Sequence, residues 1–62
     1  MKQQKMSTIK TAAEARQIAI DWQSWASEQS LSMGELAEWY SYFEELGKRF
    51  ELTEEFAENG IL

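Results

Sequence analysis

The groups able to do chemistry in this 62-residue chain are almost all carboxylates and aromatic rings, because it has no Cys, no His and no Pro. Without imidazole or thiol, the commonest general base and the best nucleophile are missing. Glu44/Glu45 and Glu54/Glu55 are adjacent carboxylates. On a helix, adjacent side chains point about 100° apart and do not converge on one reacting atom. Gly34, Gly47 and Gly60 stand alone, so no glycine-rich loop is present to cradle a phosphate. No catalytic residue is assigned, and the chain is expected not to be an enzyme.

Cation binding is the next chemistry the acids suggest. Glu35/Glu38, Glu51/Glu55 and Glu54/Glu58 have the spacing that shares a helix face. Hard cations take about six to eight oxygens, usually from a loop rich in Asp and Asn, and no such loop is present. Zinc prefers thiolate and imidazole, which are absent. The acids therefore read as a solvated face, with no metal and no cofactor expected.

Aromatic rings are the informative excess, with Trp22, Trp25, Trp39, Tyr40, Tyr42, Phe43, Phe50 and Phe56 in so short a chain. Most recur at helical spacing and predict core. Tyr42 falls at the edge of its stripe, flanked on the helix by Glu35, Glu38, Glu45 and Arg49. Such a ring is either an ordinary amphipathic tyrosine with its hydroxyl in water or a contact hot spot. Ile20 lies off its own stripe, roughly opposite Trp22. It reads as an exposed singleton, a residue covered by another segment, or a partner face. The candidate partner-contact residues are Ile20, Asp21, Glu38, Tyr42 and Glu45.

Charge narrows the partners. Six basic residues face eleven acidic ones, a net of −5, and Lys2, Lys5 and Lys10 cluster in the first ten positions. The body of the chain is therefore strongly acidic and repels nucleic acid and anionic lipid. Residues 35–58 would spread their net charge at one per roughly 6 Å of helix. Duplex DNA carries one per about 1.7 Å, so mimicry of DNA is weakly supported. No apolar run approaches the roughly 18 residues of a membrane span. The polar start has no apolar h-region of a signal peptide, which points to the cytoplasm. Met6 offers an alternative start, in which case residues 1–5 are an extension.

Three helix starts must position these groups. Thr11-Ala12-Ala13-Glu14 and Ser32-Met33-Gly34-Glu35 both fit the capping box, and Leu31 with Leu36 adds the spacing of a hydrophobic staple. Thr53 followed by Glu54 and Glu55 marks a third start, with acids at the positive end of the helix dipole. Asn59-Gly60-Ile61 reads as a Schellman stop, with Ile61 folding back on Phe56. One apolar stripe comprises Ala15, Ile18, Ala19, Trp22, Trp25 and Ala26. The other comprises Leu36, Trp39, Tyr40, Phe43, Leu46 and Phe50. Gly47 lies on the second stripe and invites the close approach of another backbone. The expected fold is all-α: helices over 12–29, 33–50 and 54–58 form an antiparallel hairpin closed by a short third helix, a small three-helix bundle. Residues 11–62 make one helical domain, and residues 1–10 are expected to be a disordered basic tail. A core this small supplies roughly 3–5 kcal/mol, which keeps self-association in view.

The run from Glu14 to Gln29, then Gly34-Glu35-Leu36-Ala37-Glu38-Trp39, and the ending Leu52 to Ile61 resemble small acidic proteins encoded by phages and prophages of Gram-positive bacteria. The resemblance covers about four-fifths of the chain and carries no catalytic motif. It implies a bacterial host cytoplasm and an accessory protein that binds a host or phage protein. The leading expectation is thus a non-enzymatic acidic protein-binding module. The alternatives are a self-assembling helical dimer, with Gly47 and the tryptophans at its seam, and a nucleic-acid mimic that blocks a DNA-binding protein.

Overall fold

Every regular element in the computed structural model, which describes residues 1–62, is helical. The helices are α1 (Ala12–Ala26), α2 (Met33–Phe50) and α3 (Thr53–Glu58), preceded by a 3-10 turn at Met6–Thr8. None is long and apolar enough to cross a membrane.

Local chemistry sets the helix ends. Ser32 closes a complete capping box: its hydroxyl accepts from the Glu35 amide at 3.2 Å and the Glu35 carboxylate accepts from the Ser32 amide at 3.3 Å. The Thr11 box is offset. Thr11 Oγ1 accepts from the Glu14 amide, but the Glu14 carboxylate reaches past Thr11 to the Lys10 amide, at 3.1 Å in both cases. At the far end, Gly60 takes the left-handed conformation (φ 76°), with Ile61 N–H donating to Phe56 O at 2.8 Å and Gly60 N–H to Ala57 O at 3.2 Å. These are the two bonds of the Schellman motif, and its apolar pair, Phe56 and Ile61, is fully buried.

Two boundaries differ from expectation. α1 stops at Ala26 instead of running to 29, because Glu28 and Gln29 donate back only three residues, to Trp25 and Ala26. That pattern tightens the last turn and ends the helix. α3 begins one residue early: Leu52 is its cap residue and its carbonyl accepts the first bond, from Phe56 at 2.8 Å. Thr53 is displaced inward because the Leu52 N–H is already spent on Gly47 O, closing α2.

The core runs along the seam between the helices. Phe43, wholly buried, has its ring 5.1 Å from Trp22, 5.2 Å from Tyr42 and 5.9 Å from Phe56. The pairs with Tyr42 and Phe56 are edge-on, worth about 0.5–1.5 kcal/mol each beyond the area they bury. Ala15 and Ala19 on α1 are small enough to let these rings interleave. Tyr40 departs from its predicted place on the stripe: it is 45% exposed, while Tyr42 is buried. The apolar face of α2 is rotated toward Tyr42 because the N-terminal segment covers that side.

Gly47 does receive a backbone. A Cβ there would stand 3.1 Å from Thr53 Oγ1 and 3.3 Å from Thr53 N and Cα. The approaching chain is the protein's own α3, so Gly47 and the buried Trp22 and Trp39 are used inside one molecule.

Residues 1–10 are not a disordered tail. Ile9 is buried at 5% exposure within the core cluster, and Met6 packs against it. Thr8 and Ile9 donate back to Lys5 and Met6, forming the 3-10 turn. Burial of Ile9 outweighs the polar composition on either side of it, since a fully buried isoleucine is worth roughly 1.5–3 kcal/mol.

Candidate functional site

Two shallow grooves flank the aromatic core, and they divide the candidate residues between them. The first, about 240 Å³, lies between α1 and α3 and contains Ile20. Ile20 is 57% exposed, as its position off the stripe predicts. The polar groups around it are already paired within the chain. Arg16 Nε meets Glu55 Oε2 at 2.8 Å, and Gln23 Nε2 donates to Asn59 O at 2.6 Å. Asp21, on the same helix, is exposed and accepts from Gln17 Nε2 at 2.9 Å.

The second groove, about 470 Å³, is bounded by Met1, Lys2 and Gln3 on one side and by Trp25, Trp39, Glu35 and Glu38 on the other. The chain's ion pairs are Arg16–Glu55, Lys48–Glu44 and Arg49–Glu45, so neither groove carboxylate has a cationic partner, and nor does Lys2. Glu35 is partly engaged in its capping box, whereas the Glu38 carboxylate has no hydrogen-bond donor. Only the Glu38 main chain is used, its carbonyl accepting from Gln3 Nε2 at 3.3 Å.

Tyr42 is the site residue the structure moves furthest from expectation. It is not an edge ring with a solvated hydroxyl: it is 8% exposed, and its hydroxyl donates to the Gln4 carbonyl at 2.8 Å. Gln3 and Gln4 lie along the edge of α2 where solvent was expected, bonded to Glu38 O and to the Tyr42 hydroxyl. Burial holds the phenol above its ordinary pKa, because the phenolate would lose its hydration. Glu45 is exposed and pairs with Arg49 at 3.6 Å. The five candidates therefore form no single site. Ile20 and Asp21 belong to α1, Glu38 to the second groove, Tyr42 to the core beneath residues 1–5, and Glu45 to the outer surface of α2.

Sequence reasoning missed Trp25, Trp39 and Gln3 as groove residues. The available signal was electrostatic: a lysine-bearing segment in a chain whose α2 is edged with glutamates. The acids spaced to share helix faces gather no third partner, and no cluster of three or more Asp or Glu side chains converges on this chain. One buried polar atom, Trp22 Nε1, has no hydrogen-bond partner. The site is thus an aromatic-floored, acid-rimmed groove on a small helical protein. Compared with models of protein families, with curated proteins and with solved structures, the chain finds no match.

Proposed function

We propose that this chain is a non-enzymatic protein-binding module, a small three-helix bundle whose first two helices run antiparallel, presenting an acidic face of α2 to a basic surface on another protein. Its resemblance to small acidic phage and prophage proteins of Gram-positive bacteria supports an accessory role in the host cytoplasm. The observation that carries the reading is the pair Glu35 and Glu38, which no cationic group neutralises, beside the Trp25 and Trp39 rings. Uncompensated acids next to aromatic surface favour a cationic partner through both charge and ring contacts.

The test is affinity capture from a Gram-positive lysate at physiological salt, with wild-type chain and with Glu38→Lys/Glu45→Lys. A partner held by the wild type and lost by the variant supports the reading, and identical captures sink it. Competition by duplex DNA for the same partner would instead indicate the nucleic-acid mimic.

Self-assembly is the second reading, and it rests on another surface. Met33, 85% exposed, and Tyr40, 45% exposed, lie two turns apart on one edge of α2, with the exposed Ala37 between them. Light scattering across a hundredfold concentration range decides it: a constant monomer mass of 7.2 kDa excludes the dimer.

A further inference from the structure

Asn59 is the chain's only asparagine, and a glycine follows it. Both are exposed, at the end of α3. An asparagine side chain can close on the next residue's main-chain nitrogen when nothing shields that nitrogen. Gly60 has no side chain, and no atom lies within 4 Å of where a Cβ would stand, so one side of its peptide is open. Two features of the Schellman closure nevertheless hold the reacting atoms apart. The Gly60 N–H donates to Ala57 O at 3.2 Å. Asn59 stands at ψ 6°, which eclipses Gly60 N with the main-chain nitrogen of Asn59 itself. Ring closure needs Gly60 N eclipsed with the Asn59 Cβ, a third of a turn away. The closure is held by Ile61 N–H on Phe56 O at 2.8 Å, by the buried Ile61 side chain, and by the bond from Gln23 Nε2 to Asn59 O at 2.6 Å.

We propose that Asn59–Gly60 is a self-modifying site, at which Asn59 loses its side-chain amide whenever the C-terminal closure opens. Hydroxide takes the Gly60 N–H proton, and the nitrogen attacks Asn59 Cγ. The N–Cγ bond forms, the Cγ–Nδ2 bond breaks, and ammonia leaves with a proton from water. Water then adds to one of the two carbonyls of the cyclic imide. Cleavage at Cγ gives aspartate, and cleavage at the main-chain carbonyl carbon gives isoaspartate. Either product adds a carboxylate at the negative end of the α3 dipole, next to Glu58 and one turn from Glu55. Isoaspartate also routes the main chain through Cβ. The carbonyl that accepts from Gln23 then becomes a free carboxylate, and the chain lengthens ahead of Ile61, which is 1% exposed. Modification thus turns a closed core end into an open one, and refolding does not reverse it.

The test incubates the full chain at neutral pH, folded and in urea, and follows Asn59 by peptide mapping that separates asparagine, aspartate and isoaspartate. Conversion should run roughly ten- to a hundredfold slower in the folded chain, because opening exposes the Ile61 side chain. Slow chemistry confined to the open chain follows the open population. Gln23→Ala removes one tie and should speed the folded reaction about fivefold. Arg16→Gln loosens the same end through Glu55 and should give a smaller gain; it replaces Gln23→Ala if that variant loses its helical signal. Tyr42→Phe loosens the opposite end and should leave the rate unchanged. Isoaspartate should accumulate beside aspartate, as the cyclic imide requires. Equal rates in the folded chain and in urea overturn the proposal, as does an Asn59 that stays unmodified in both. Aspartate without isoaspartate overturns it too, since that is direct hydrolysis. So does acceleration by Tyr42→Phe equal to that by Gln23→Ala, which would put the control in global unfolding and not in the closure.

Discussion

The two ends of the chain both fold back onto α1 and α2, but they are held in different ways. The C-terminal end buries Leu52, Phe56 and Ile61 at 3% exposure or less, and adds the Arg16–Glu55 ion pair and the Gln23–Asn59 hydrogen bond. The N-terminal end buries only Ile9, and its first five residues rest on two hydrogen bonds. One end is core and the other is a clasp. In a domain this small that difference decides where the molecule can open without unfolding, since local opening follows buried apolar contact.

The comparison breaks most sharply at Phe56. Phe56→Ala should cost about 3–5 kcal/mol, which matches the whole stability of a core this size. Far-ultraviolet circular dichroism at 25 °C should then show a largely unfolded chain. Ile9→Ala should cost less, toward the lower end of about 2–5 kcal/mol. At low temperature it should keep its helical signal while the Trp25 and Trp39 emission shifts red. Equal losses at the two positions would mean that the N-terminal end is core as well.

Smaller changes sharpen the contrast. Tyr42→Phe removes the hydroxyl that holds Gln4 and should cost about 1 kcal/mol at neutral pH. Its pH dependence has a definite sign. Burial raises the folded-state pKa of Tyr42, so its contribution is complete below the ordinary tyrosine value and disappears as pH rises through the folded one. Chemical denaturation across the alkaline range should therefore show the gap between wild type and Tyr42→Phe closing. Glu51→Gly should stabilise by about 1 kcal/mol, because Glu51 sits at φ 56° in the left-handed region that glycine occupies at little cost. The smallest effect belongs to Arg16→Gln: its ion pair is half-exposed, and such pairs contribute about 0–1 kcal/mol.

What the sequence reveals is what lies within a few residues of itself. Ser32 with Glu35, Thr11 with Glu14, and Gly60 with Ile61 are local devices whose partners lie on the same turn, and each sits where its spacing predicts a helix end. Thr53 fails by one residue because its neighbour Leu52 answers to Gly47, on the preceding helix. The two largest departures, Ile9 and Tyr42, share one cause. Periodicity along α2 describes that helix alone, and it has no means of reporting that a polar segment some forty positions away covers one edge (Tyr42 and Gln4 are 38 apart). Ile9 sits between polar residues, so no stripe marks it. The second groove was illegible for the same reason: one of its walls is that segment. Opposite charge was its only trace.

The Tyr42 hydroxyl bonds a carbonyl and no side chain, and this has a consequence for how the N-terminal segment is read. A main-chain acceptor looks the same whatever residue carries it, so the phenol measures distance along the chain from Ile9 and is blind to the letter at position 4. Substitutions at Gln4 should therefore pass unnoticed there, while inserting or deleting a single residue between Gln4 and Ile9 would put the wrong peptide unit over the ring. The clasp behaves as a ruler.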